Sequence, residues 1–158
     1  MITYSPQDPT TEIIFNLGQV SYEKRNLVAP TDSFILGEWV GLGAGNKALK
    51  ISSNSYAINP RMVWTETGRD DVADSEGVTV AYGAAFKLST MNYAVGESFA
   101  VGSELVVLTS GGIGKLLKLP ASTGSYWVVG IVTVAPAVDG VSRLVADIYA
   151  TPFYKVVA

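Results

Sequence analysis

Apolar and polar positions alternate over short distances along this 158-residue chain, mostly in runs too brief for helices. Stretches rich in β-branched and aromatic residues recur as SFILGEWVGL, ALKIS, MVWTET, VTVAYGAAFKL, ELVVLT, KLLKL, YWVVGIVTVA and RLVADIY. Each has the length of a strand and is closed by turn chemistry such as AGN, SNS, SGG or VDG. The best helix candidate is TTEIIFNLGQVSYEKRNL, where Thr10 can cap and apolar residues fall at 13, 14, 17 and 20. Gly18 and the β-branched residues argue against it. The pattern predicts an all-β chain built as a small barrel or sandwich.

The same pattern repeats within the chain. Ser33, Phe34 and Gly37 match Ser98, Phe99 and Gly102, each 65 residues later. KALKI (47–51) matches KLLKL (115–119) at an offset of 68, and NSYAI (54–58) resembles GSYWV (124–128) at 70. Thr65 pairs with Thr133 at 68, and Tyr82 and Phe86 match Tyr149 and Phe153 at 67. The offsets change in Gly, Ser and Asn stretches, where insertions are tolerated. Two tandem β modules are expected, over residues 31–92 and 93–158. A module of about 60 residues has a marginal core alone, so the two should pack together. Residues 1–30 fall outside the repeat and read as an extended arm, with Pro6, Pro9, Pro30 and one apolar patch of Ile13, Ile14, Phe15 and Leu17.

Composition narrows the chemistry. Apolar residues make up 48% and charged ones 16%, enough to bury a core and unlike a disordered chain. The net charge is -3 and the eleven basic residues are scattered, so no basic stripe faces nucleic-acid phosphates. No apolar run approaches the roughly 20 residues that span a bilayer. With no signal-like start in MITYSPQDPTTEI, a soluble protein made in the cytoplasm is expected. The chain has neither cysteine nor histidine. That removes disulfides, thiolates, the commonest general base and the commonest zinc ligand.

Candidate motifs give way to structural readings. LTSGGIGKLLKL (108–119) resembles a phosphate-binding loop, but Thr109 and Leu116 stand where the Walker pattern needs glycine and a hydroxyl. A hairpin turn is the better reading, with GLGAGNK in the equivalent place of the first module. On that reading Lys47, Lys50, Lys115 and Lys118 are exposed positions on a repeated strand. GLGAGN (41–46) lacks the third glycine and the helix of a dinucleotide fingerprint. Asp70, Asp71, Asp74 and Glu76 lack calcium-loop spacing and read as a solvated loop. Trp39, Trp64 and Trp127 with the tyrosines can line a sugar-binding face. The matched pairs Tyr56/Tyr126 and Tyr82/Tyr149 are better read as core positions. No catalytic, cofactor-binding or metal-binding residue is assigned, and an enzyme is not expected.

The segment YGAAFKLSTMNYAVGESFAVGSELVVLTSGGIGKLLKLP, followed by YWVVGIVTVAP, resembles the capsid decoration (cement) proteins of tailed bacteriophages. The resemblance covers residues 78–150 best and 31–88 more loosely; the duplication and the arm depart from the simplest single-barrel members. It implies a structural virion protein on the outer capsid surface, bridging subunits of the major capsid protein as a homo-oligomer, with a trimer favoured. No nucleic acid or membrane would be bound directly. Its capsid contacts would fall on the arm, at Ile2, Tyr4, Ile13, Ile14, Phe15 and Leu17. The alternative is a carbohydrate-binding or adhesion module on a phage particle, marked by an exposed tryptophan-tyrosine strip. A third, a small hydrolase, needs two carboxylates facing across a cleft.

Overall fold

ELVVLT and KLLKL form a hairpin in the computed structural model, which describes residues 11–16, 21–26, 34–50, 55–64, 77–82, 84–110, 113–137 and 142–158. Strand β8 (Glu104–Ser110) pairs antiparallel with β9 (Ile113–Lys118), from Leu105↔Lys118 to the closing pair Ser110↔Ile113. The glycine loop therefore joins two strands, as its turn chemistry predicts. A second hairpin joins β3 (Trp39–Leu42) to β4 (Ala48–Leu49) through a 3-10 turn at Ala44–Asn46, where Gly45 takes a φ of 67°. Only glycine adopts that geometry without strain.

The other strands are β1 (Thr11–Asn16), β2 (Ser21–Asn26), β5 (Arg61–Met62), β6 (Gly77–Tyr82), β7 (Phe86–Thr90), β10 (Gly124–Val134) and β11 (Leu144–Val157). Nine strands form one curled antiparallel sheet, a half-barrel in the order β1-β7-β11-β10-β8-β9-β3-β4, with β5 paired to β3. β2 and β6 form a separate two-stranded sheet. The chain is all-β, as its alternation predicts. Among the described residues the 3-10 turn is the one helical element.

Where it is described, the helix candidate is strand. β1 pairs with β7 from Thr11↔Thr90 to Asn16↔Phe86, and β2 runs the length of β6. The β-branched Ile13 and Ile14 suit a pleated strand, and β6 and β7 offer these segments a backbone ladder. Both strands belong to the region read as an extended arm.

The curled sheet encloses the principal core, which includes Trp39, Met62, Phe86, Leu88, Phe99 and Leu105. Residues from 31–92 and from 93–158 share it. A second cluster, including Phe34, Leu36, Val40, Val63, Val78 and Val80, fills the space between β3, β5 and β6. Val106, Leu117, Tyr126 and Val128 form a third.

Buried Asn92 ties the sheet's two ends together. Its side-chain amide donates to the carbonyls of Gly37, just before β3, and Gly114 in β9, at 2.8 and 3.0 Å. Its backbone N–H donates to Thr90 Oγ1 in β7, and that hydroxyl lies 2.7 Å from the hydroxyl of Thr11 in β1. A satisfied buried polar group of this kind fixes geometry that apolar packing leaves loose.

Two turns lead into β3 and β8. In one, Glu38 N–H donates to the Ile35 carbonyl; in the other, Ser103 N–H donates to that of Ala100. Gly37 and Gly102 take φ angles of 87° and 90°. Their N–H groups donate to the carbonyls of Val63 and Val132, both at 2.9 Å. Val63 and Val132 donate in return to the carbonyls of Glu38 and Ser103. The side chains of Glu38 and Ser103 accept from the N–H groups of Ile35 and Ala100, at 2.7 and 3.0 Å.

Candidate functional site

The longest strand, β11, has 14 residues but meets β7 only along Leu144–Ile148. Its far half, Phe153–Val157, pairs with Gly124–Val128 of β10 alone among the described strand pairs. The result is a two-stranded ribbon with apolar side chains in solvent. Phe153, Tyr154 and Val156 are 42%, 59% and 68% exposed. Trp127 packs its ring against the edge of Tyr154, with centroids 5.4 Å apart.

Beside the ribbon, Tyr56 bridges to Leu108 and sets its ring against Tyr126 at 5.1 Å. A groove of about 370 Å³ opens here, lined by Tyr56, Ile58, Ser125, Tyr126, Trp127 and Tyr154 among others. Burial, then the neighbouring Tyr126 and Glu97, raise the Tyr56 hydroxyl above its usual pKa. Burial, then Glu104 and Asp147, raise that of Tyr149. Both stay neutral at physiological pH and keep their protons to donate. A contiguous exposed aromatic and aliphatic surface is what a partner or a ring-shaped ligand can cover. Of the four tyrosines read as core, only Tyr126 is buried; Tyr56 and Tyr82 are exposed and Tyr149 is half-buried. Tyr82 ends its strand and Tyr56 sits on a single bridge, so neither is covered by a continuing ladder.

A second concavity, about 420 Å³, is polar and includes Glu23, Arg25, Asn26, Leu42, Lys47 and Asn59 in its lining. Arg25 Nη2 donates to Glu23 Oε2 at 3.3 Å. Arg61 Nη1 donates to Asn59 Oδ1 and to the Pro60 carbonyl, at 2.8 and 3.0 Å. Burial, then the nearby Arg25, lower the Arg61 pKa, while Glu23 opposes them.

Among the residues read as capsid contacts, Ile13 is half-buried against the principal core and Ile14 is 46% exposed. Phe15 lies in β1 with its backbone opposite Lys87. Ile2, Tyr4 and Leu17 lie outside the described residues, as do Asp70, Asp71, Asp74 and Glu76. Of the four lysines read as exposed, Lys47 and Lys118 are, whereas Lys50 and Lys115 are half-buried. Lys50 reaches inward to the fully buried carboxylate of Glu38, 3.1 Å away, and lies over the Phe34 ring. The groove brings together Trp127, Tyr56 and Tyr126 of the aromatic set that the sequence offers for a ligand face, whereas no motif in the sequence points to the polar cleft.

No protein-family model, curated protein or solved structure matches the chain.

Proposed function

We propose that the chain is a structural protein of a tailed-bacteriophage particle, which binds the outer capsid surface and cements neighbouring major capsid subunits. The observation that carries this reading is the resemblance of residues 78–150 to capsid decoration proteins. The exposed apolar ribbon supports it, since Tyr154 and Val156 on one side and Phe153 on the other present apolar surface that a protein partner can desolvate. The finer architecture proposed is two tandem modules related by duplication and preceded by an extended arm. The matched turns support the duplication. So do the two hairpins, because Gly41↔Leu49 and Val106↔Leu117 reproduce the offsets of 65 and 68 read from sequence. A trimeric state and arm contacts at Ile2, Tyr4, Ile13, Ile14, Phe15 and Leu17 belong to the same proposal. A protein that binds only the assembled shell stabilises it by linkage.

The test is cosedimentation of the purified chain with expanded capsids. Saturable binding at a fixed ratio to the major capsid protein is expected, weakened by Tyr154→Ser with Val156→Ser. Absence of saturable binding overturns the proposal.

A second reading, a carbohydrate-binding or adhesion module, is favoured by the Trp127–Tyr154 pair beside Tyr56. Aromatic faces and hydroxyls in one groove suit a sugar ring. Saturable change of tryptophan fluorescence with a glycan, lost in Tyr154→Ser, would establish it instead.

A further inference from the structure

We propose that the outer edge of the β11 ribbon, residues 153–157, is a self-association site, where a second copy of the chain adds the same strand antiparallel about a two-fold axis at Lys155. The contact rests on neither the capsid role nor the trimer proposed above.

An open strand edge is the first observation. Between the pairs Gly130↔Ile148 and Val128↔Phe153, residues 149–152 of β11 bulge away from β10. Before the bulge β7 covers the outer edge of β11; after it, no described strand does. By contrast β7, whose Phe86 matches Phe153 at the offset of 67, is paired on both edges, by β1 and β11. In an antiparallel strand alternate residues turn their N–H and C=O away from the neighbour, so a bare edge offers half a ladder to another strand.

Self-complementarity is the second. The edge reads FYKVV: two aromatic residues, a lysine, two β-branched residues. Reversed about Lys155, it sets Phe153 opposite the partner's Val157 and Tyr154 opposite the partner's Val156, and symmetry makes each pair twice. Aromatic against β-branched is a favourable cross-strand pair. Tyr154 and Val156, 59% and 68% exposed, lie on one face of the ribbon and Phe153 on the other. A two-fold axis perpendicular to the sheet keeps each set on its own face. A slip of one residue would set the two faces against each other.

Charge selects the occupant. Edge strands commonly carry a lysine that repels a second strand. Here Lys155 Nζ donates to Glu104 Oε1 in β8, and both side chains are half-buried. The ammonium is balanced within its own chain, so two copies can meet at Lys155 without an uncompensated like-charge pair. A foreign strand finds no open charge to read along this edge, whereas the same strand reversed finds a fitting neighbour at each apolar position. Pairing uses the edge of both copies, so the assembly closes at two and does not grow into a fibre.

The test is sedimentation of the full chain over a wide range of concentration, without capsids, so that its failure is separate from any failure to bind them. A reversible doubling of mass is expected. Val156→Glu, at an exposed position where thermal melting checks the fold, should weaken the dimer on the order of tenfold, since each copy then sets a carboxylate against the partner's Tyr154. Tyr154→Lys combined with Val156→Glu places lysine opposite glutamate in both pairs, and should recover most of that loss. Glu104→Gln leaves two ammonium groups facing each other and should weaken the dimer about threefold. A monomer at every concentration, an oligomer that Val156→Glu leaves intact, or a double variant that associates no better than Val156→Glu alone overturns the proposal.

Discussion

The turn before β3 and the turn before β8 share one backbone and bury different chemistry. Both hold a left-handed glycine, both return hydrogen bonds to a valine, and both close on a side-chain acceptor. In the first the acceptor is Glu38, fully buried and held by Lys50. In the second it is Ser103, whose bond to Ala100 lies at the surface. The lysines differ in the same way. Lys50 reaches a buried carboxylate, whereas Lys118 donates to the Ser98 carbonyl in solvent. A turn's shape is set by its glycine and one acceptor oxygen, and whether that oxygen carries charge is set by what packs over it. Over the first turn lies β1, with Thr11 against Gly37. Over Gly102 a Cβ would meet nothing within 4 Å.

The largest expected difference separates Glu38→Ala from Ser103→Ala. Removing the buried carboxylate takes away an acceptor that the Lys50 ammonium and the Ile35 N–H share, and should cost about 3–5 kcal/mol. The serine change should cost about 0.5 kcal/mol, because water can replace a surface acceptor. Urea denaturation of both variants measures this, and equal losses would break the comparison.

Gly37→Ala and Gly102→Ala come next. Both force a side chain into positive φ, at about 1–2 kcal/mol. At Gly37 the new Cβ would also stand 2.7 Å from Thr11, raising the loss to about 2–5 kcal/mol. Gly37→Ala with Thr11→Ser should recover part of that excess in thermal melts; no recovery would place the strain elsewhere.

The smallest effect concerns Tyr56, whose bridge to Leu108 joins the segment after the first hairpin to the second. Its folded pKa lies above the ordinary 10.0, chiefly through burial. The unfolded chain therefore loses this proton first. The stability it contributes is complete below pH 10.0 and declines as pH rises through the folded value. Tyr56→Phe should flatten the alkaline fall of the urea midpoint between about pH 9 and 11, whereas a curve parallel to wild type would remove Tyr56 from that joint.

Sequence patterning made the strands from 39 onward legible where β-branched runs met glycine turns, as in β8, β9 and β10. It failed where another element supplies the reason for a strand. SYEKRN carries no apolar alternation and is a strand because β6 pairs with it throughout. VTVAYGAAFKL looks continuous, yet splits into β6 and β7, which pair in different sheets. Arg25, Lys47 and Asn59 are far apart in the chain, so nothing in their spacing announces one cleft. The ribbon was hidden for the opposite reason: an apolar strand end reads as core until its missing neighbour is seen.

The polar tie at Asn92 changes what kind of object the half-barrel is. Among the described strand pairs none joins β1 to β3 or β4, so no backbone ladder closes the sheet there. The two rims meet instead through Asn92 and the packing of Thr11 on Gly37. A ring closed by ladders has a circumference fixed by strand number and stagger. A clip fastened by side chains has a gape, and its compliance is that of a few hydrogen bonds. Load applied across the seam would be borne by the fastening before any strand is peeled away.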